Sequence, residues 1–213
     1  MKLLRSDLGA LAALATSCGA SVWAASRLPE TVATHFGVDG TPNGWMGRGT
    51  ALWLLPAIGA AAWGLVRFAG SFWPRPIGVG AARALPIAAV LTAVLLAAVH
   101  VAVVVGNVVP GFEVSRAVFV ALGAFLLTFG LLAPRLPQNP FVGIRTPWTL
   151  GSPEIWARTH RLGGATLALG GAVALVASLV SATAGPIALG AILAGALVPA
   201  AYSAVLGARL REG

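Results

Sequence analysis

LGGATLALGGAVALVASLVSATAGPIALGAILAGALVPAAYSAVLGA, residues 162–208, contains no charged side chain. About 20 apolar residues carry a helix across the hydrocarbon core of a bilayer, so this run is long enough for two crossings. Thr183-Ala184-Gly185-Pro186 divides it, because Gly and Pro punctuate turns. Four more uncharged runs precede it, at 8–26, 49–66, 84–112 and 117–134. The reading is an all-α, polytopic membrane protein with six transmembrane helices, near 8–26, 50–66, 86–106, 117–134, 162–181 and 187–207.

Composition agrees. Of 213 residues, 58% are hydrophobic and 9% are charged; a soluble domain has about 25% charged residues. The length suits one membrane domain. A formal charge of +8 does not imply nucleic acid, which needs Lys and Arg clustered on a soluble face. Here the basic residues punctuate apolar runs and report orientation. With the N-terminus cytoplasmic, Lys2, Arg5, Arg67, Arg75, Arg83, Arg135, Arg145, Arg158, Arg161, Arg209 and Arg211 lie inside. Arg27, Arg48 and Arg116 lie outside. Both termini therefore read as cytoplasmic. The first run also has the outline of a cleavable signal peptide, with Lys2 and Arg5 ahead of it and small residues at Ala24 to Ser26. The single cysteine, Cys18, permits no intrachain disulfide and reads as a small apolar residue. Trp23, Trp45, Trp53, Trp73, Trp148 and Trp156 fall near span ends, where indole rings anchor to headgroups. The pairs Ala60/Gly64, Gly190/Ala194 and Ala191/Gly195 have the spacing that lets helices approach closely.

Two connectors are richer than linkers. The first, residues 28–49, is LPETVATHFGVDGTPNGWMGRG, on the outer side. Asp39-Gly40 and Asn43-Gly44 favour turns, and Pro29-Glu30 has the form of a short helical opening. The expectation is a compact cap held by Phe36, Trp45 and Met46. His35 and Asp39 are conceivable metal ligands, but a metal site needs three or four. No other His or Cys lies in this loop, so a hydrogen bond from His35 that pins it is preferred.

The second connector, residues 135–161, faces the cytoplasm on this topology. Pro137, Pro140 and Pro147 enforce extended backbone before them. Ser152-Pro153-Glu154 then reads as a helix start, with Ser as N-cap. The expectation is an interfacial helix leading to the fifth span, with Glu154 and Arg158 paired and Trp156 and His160 sharing a face. Gly163-Gly164 suits a close helix contact. Three roles stay open: anchoring by Arg145, Arg158 and Arg161 to anionic lipids, a polar network of Asn139, Arg145, Thr146, Trp156 and His160, or catalysis. Glu154 is the sole carboxylate there, so catalysis ranks last. Within the spans, His100 is either a neutral hydrogen-bonding residue or part of a proton path, and Asn107 reads as a cap. Nothing implies a cofactor or a resident metal.

Both connectors resemble one family. LPETVATHFGVDGTPNGW is similar to an extracytoplasmic module of unknown function, carried here on Leu28, Pro29, His35, Phe36, Gly40, Pro42 and Trp45. NPFVGIRTPWTLGSPEIWARTHRLGG resembles the signature of SdpI-type immunity proteins, on Asn139, Gly143, Ile144, Arg145, Thr146, Pro147, Trp148, Thr149, Trp156, Thr159, His160, Arg161, Gly163 and Gly164. The resemblance implies a multi-pass protein of the bacterial plasma membrane that is not an enzyme. It implies protection against a secreted, membrane-active peptide toxin, and signalling by holding a cytoplasmic repressor at the membrane. The outer residues His35, Phe36, Gly40, Pro42 and Trp45 would meet the toxin. A transporter is a further alternative, although the spans lack an intramembrane carboxylate.

Overall fold

The computed structural model describes residues 5–72 and 79–212, with side chains described over 7–66 and 84–209. Lys2, Arg5, Arg67, Trp73, Arg75, Arg83 and Arg211 therefore lie outside the described side chains. The protein is mostly helical, at 76%. In order, the elements are α1 (Arg5–Ala24), β1 (Thr31–Phe36), β2 (Pro42–Gly47), α2 (Arg48–Phe72), α3 (Val79–Val108), α4 (Val114–Leu132), a 3-10 turn (Ala133–Arg135), α5 (Pro147–Gly151), α6 (Pro153–Val180) and α7 (Gly185–Glu212).

Among the described residues, five helices are long and apolar enough to cross a membrane: Arg48–Val66, Ala84–Val108, Val114–Arg135, Pro153–Val180 and Gly185–Arg209. The sixth expected span, α1, is 20 residues long but is not one of them. Asp7 sits in its first turn, and Thr16, Ser17 and Ser21 lower its apolarity. The interfacial helix expected to lead from Pro153 into the fifth span is continuous with it: α6 runs unbroken for 28 residues, about 42 Å at 1.5 Å per residue. That exceeds a hydrocarbon core of about 30 Å, so one helix serves as both lead-in and span.

The helices form two packed groups. α1, α2 and α3 make one; α4, α6 and α7 make the other; α3 against α4 joins them. Glycine sets the second group's spacing. A Cβ on Gly171 would stand 2.7 Å from the Gly123 carbonyl oxygen, and one on Gly123 would stand 2.8 Å from the Gly171 oxygen. Gly130 and Gly164 oppose each other likewise, at 2.8 and 2.9 Å. Backbones this close gain contact along their length, which drives association where lipid supplies no hydrophobic force. Of the three small pairs read from sequence, Ala191/Gly195 meets α6 through Gly170 and Thr166, whereas Gly64 and Gly190 face open space. Large side chains point outward, among them Leu65, Leu169, Val176 and Val180. Ser17, Ser21, His100, Thr159, His160, Ser178 and Ser203 are buried. This inverts the soluble pattern, as a bilayer solvent requires. Cys18 is exposed on α1.

The outer connector corrects the all-α reading. It is an antiparallel hairpin in which Val32 pairs with Met46 and Ala33 with Trp45, with irregular register around His35. Pro29-Glu30 opens no helical turn. Thr31, Val32 and Thr34 are β-branched and favour a pleated strand. At the tip, Gly40 has φ 85°, a left-handed backbone natural to glycine. Asp39 Oδ1 accepts from the Thr41 N–H at 3.1 Å and from its hydroxyl at 2.8 Å. Asn43-Gly44, expected as a turn, lies within β2.

The hairpin and the second connector occupy opposite ends of the bundle. Near the hairpin lie the end of α3, the start of α4 and the start of α7, through Asn107, Ser115 and Gly185. The second connector meets the other end of α7, through Ser203 and Gly207.

Candidate functional site

The second connector folds around Asn139, which is 4% exposed. Its Oδ1 accepts from the Phe141 and Val142 N–H groups, at 2.9 and 2.8 Å. Its Nδ2 donates to the Pro137 and Val142 carbonyls, at 2.9 and 3.1 Å. One amide thus satisfies four backbone groups and bends the chain towards α6. Gly143 then crosses the imidazole of His160 at φ 124°; a Cβ there would collide with that ring.

His160 is the centre. The Ile144 N–H donates to its Nε2 at 3.0 Å, so Nε2 carries the lone pair. Nδ1 must then hold the proton, and it donates to the Trp156 carbonyl at 2.9 Å. The neutral ring is fully committed. The Trp156 indole stacks on it at a centroid distance of 3.9 Å, and its Nε1 donates to the Leu136 carbonyl at 2.8 Å. At 3% exposure, Trp156 is a core residue and not the interfacial anchor expected of it.

A second set ties the connector to α7. Thr146 and Thr149 form a capping box on α5, with Pro147 at the start of the helix. Thr149 Oγ1 also donates to the Ile144 carbonyl at 2.8 Å. Thr146 Oγ1 meets Ser203 Oγ at 3.0 Å, and Trp148 lies flat against Gly207. Gly163 leaves room for Ile144 and Pro199, and Gly164 for Pro134. Thr159 is buried beside His160 on α6, and its hydroxyl has no partner among the described residues. The whole is a clasp binding three helices.

The expected polar network is therefore real but differently composed. Trp156, His160, Gly143 and the Asn139 loop converge, and Thr146 joins through Thr149 and Ile144. Arg145 stands outside, exposed, with one bond to the Pro140 carbonyl at 2.9 Å. Arg158 pairs with Glu154 at 2.8 Å as the spacing required, both exposed, and Arg161 is exposed too. The Ser152 N-cap also forms. The carbonyl of Leu136 and the hydroxyl of Ser203 were missed. A lone serine in an apolar helix was the one available signal for Ser203.

At the hairpin end, His35 bonds Asn43 across the strands, which fits the pinning role. Gly44 is required opposite it, since a Cβ would lie 2.9 Å from that of His35. The cap is not held by Trp45 and Met46: Trp45 is 58% exposed, and buried Val32 is the anchor. Asn107, read as a cap, is a brace. Its Oδ1 accepts from the Ala33 N–H at 3.0 Å and its Nδ2 donates to the Ala33 carbonyl at 2.8 Å, pairing with β1 as a strand would. Phe36 projects between two cavities below the hairpin, of about 260 and 380 Å3. The larger includes Gly40 and Pro42 in its wall. Deeper, among α1, α2 and α3, Ser21 Oγ donates to the Leu52 carbonyl at 2.6 Å and meets His100 Nε2 at 2.8 Å.

Residues 135–203 match the SdpI/YfhL protein family. Over this stretch the chain is similar to that family, which is consistent with an SdpI-type protein. The matched region runs from the end of the 3-10 turn to Ser203, so it contains most of the clasp, with Pro134 and Gly207 just outside it. Residues 12–60 match a domain of unknown function, DUF1648, which contains the hairpin with the flanking halves of α1 and α2. Neither a curated protein nor a solved structure matches the chain. The family match and the apolar helices together point to a multi-pass membrane protein.

Proposed function

We propose that the protein protects a bacterial cell against a secreted, membrane-active peptide toxin, acting without catalysis in the plasma membrane. One observation carries the reading: the hairpin of one matched region and the clasp of the other sit at opposite ends of one packed bundle. The exposed hairpin suits contact with an external peptide, and the clasp suits holding the bundle in a fixed state. In this reading α1 is a sixth span and both termini are cytoplasmic, as the arginine distribution favours. The arrangement offers binding surface more than chemistry, because both nitrogens of His160 are engaged.

The test is survival. Sensitive bacteria expressing the chain are challenged with membrane-active peptides, beside His35→Ala and Trp45→Ala variants at equal abundance. Protection by the parent and its loss in the variants supports the proposal; full protection by both variants removes the hairpin from the mechanism. A second reading is signalling through a cytoplasmic repressor. It is favoured by exposed Arg135, Arg145, Arg158, Arg161 and Arg209 at the clasp end, which would also meet anionic lipids. Peptide-dependent recovery of a soluble regulator with the protein, lost when these arginines are neutralised, would establish it.

A further inference from the structure

The cavities below the hairpin divide by chemistry. Val99 and Val103 of α3, Val118 and Phe119 of α4, and Phe36 enclose the smaller chamber. The larger contains Asp39, Glu113 and Arg116, with Phe112 and Gly106. Phe36, Val114 and Ser115 line both, so the two chambers adjoin as a two-part cleft. Gly106 permits it: a Cβ there would strike Val114.

The charges of the larger chamber do not cancel. Arg116 is turned towards the end of α6, where its Nε and Nη2 donate to the Ser178 and Leu179 carbonyls, at 2.7 and 2.8 Å. Its Nη1 donates to one oxygen of Glu113 at 3.0 Å. The second oxygen of Glu113 and the second oxygen of Asp39 make no hydrogen bond among the described residues. Two carboxylates against one engaged guanidinium leave a net negative chamber beside an apolar one.

We infer that this cleft binds a peptide segment presenting a bulky apolar side chain next to a cationic one, lysine, arginine or an N-terminal ammonium. The apolar group enters between Val99, Val103, Val118 and Phe36, and the cation meets Asp39 and Glu113. Complementary charge and an enclosed apolar anchor are the usual means of peptide selection. The smaller chamber, about 260 Å3, has room for a bulky side chain. The inference rests on the immunity reading for its biological ligand, and adds the chemical class of that ligand.

The full-length protein in zwitterionic phosphatidylcholine nanodiscs would be titrated with three fluorophore-labelled peptides of equal length: Phe-Lys repeats, Phe-Glu repeats and Ser-Lys repeats. Anisotropy is read against empty nanodiscs. Saturable binding of the Phe-Lys peptide alone is expected. Asp39→Asn keeps an acceptor for the Thr41 turn, and with Glu113→Gln each should weaken binding about two- to fivefold, the range of an exposed ion pair. Val99→Phe, which fills the apolar chamber, should weaken it without changing its salt dependence. Equal binding of the Phe-Glu peptide, undiminished binding in all three variants, or no saturable binding would overturn the inference. So would displacement of the peptide by phosphatidylethanolamine, which would make the cleft a lipid site. Survival separates the two readings. Protection that persists in a combined Asp39→Asn, Glu113→Gln, Val99→Phe variant refutes the cleft and leaves immunity standing. Selective binding without protection does the reverse.

Discussion

His160 shows how much one side chain can hold. Replacing it with alanine strands the Ile144 N–H and removes the stacked partner of Trp156. A buried donor left unpaired costs about 1–3 kcal/mol. Thermal unfolding in detergent, followed by tryptophan fluorescence, should therefore show a clear drop in midpoint. Gly143→Ala should do the same by a different route, through strain at φ 124° and collision with the same ring. Arg145→Ala should leave the midpoint within experimental scatter, because an exposed residue of this kind changes stability by about 0.5 kcal/mol or less. If protection is lost in that variant while stability is kept, Arg145 acts on a partner. The i, i+4 pairs Trp156/His160 and Glu154/Arg158 were legible in the sequence because helix geometry alone dictates them. Ile144 and Ser203 meet their partners across folded distance, and spacing carries no information about that.

Among the elements, the helices were the most legible and the hairpin the least. Ser152-Pro153-Glu154 marked the start of α6 correctly. Gly163-Gly164 was read as a contact point, and α6 passes it unbroken because both glycines are covered by Ile144, Pro199 and Pro134. The hairpin was hidden by its glycines and prolines, which resemble loop chemistry until Val32 is buried and Asn107 braces β1. Its tip gives a pH expectation. Hydrogen bonds from the Thr41 hydroxyl and N–H hold the Asp39 carboxyl below the usual carboxylate range. A lowered folded value stabilises the turn above the unfolded value of about 4 and is lost as pH falls through the folded one. Chemical shifts of Gly40 and Thr41 should thus be constant from neutral pH down to about pH 5 and move only below pH 4. The glycine seam gives a matched pair. Gly171→Leu should separate α4 from α6 and abolish folded yield, while Gly190→Leu, facing open space, should fold normally. Size-exclusion chromatography in detergent reads both.

For the whole molecule, apolar runs sufficed to recognise a membrane bundle, and α1 is where they fall short. A helix with Asp7 at its start and serines on its buried face is held by α2 and α3, through contacts such as Ser21 with His100 and Leu52. Its place depends on tertiary structure that hydropathy does not see. If α1 spans, the hairpin and the clasp face opposite compartments, and the hairpin is where an external peptide arrives. That arrangement is tested most directly by cysteine labelling in intact cells. In a Cys18→Ser background, Glu30→Cys beside the hairpin and Arg145→Cys beside the clasp, both exposed positions, would be treated with a membrane-impermeant maleimide. Labelling of Glu30→Cys from outside, with Arg145→Cys reached only after permeabilisation, is the expected result. Labelling of both from the same side, or of Arg145→Cys alone from outside, would contradict it.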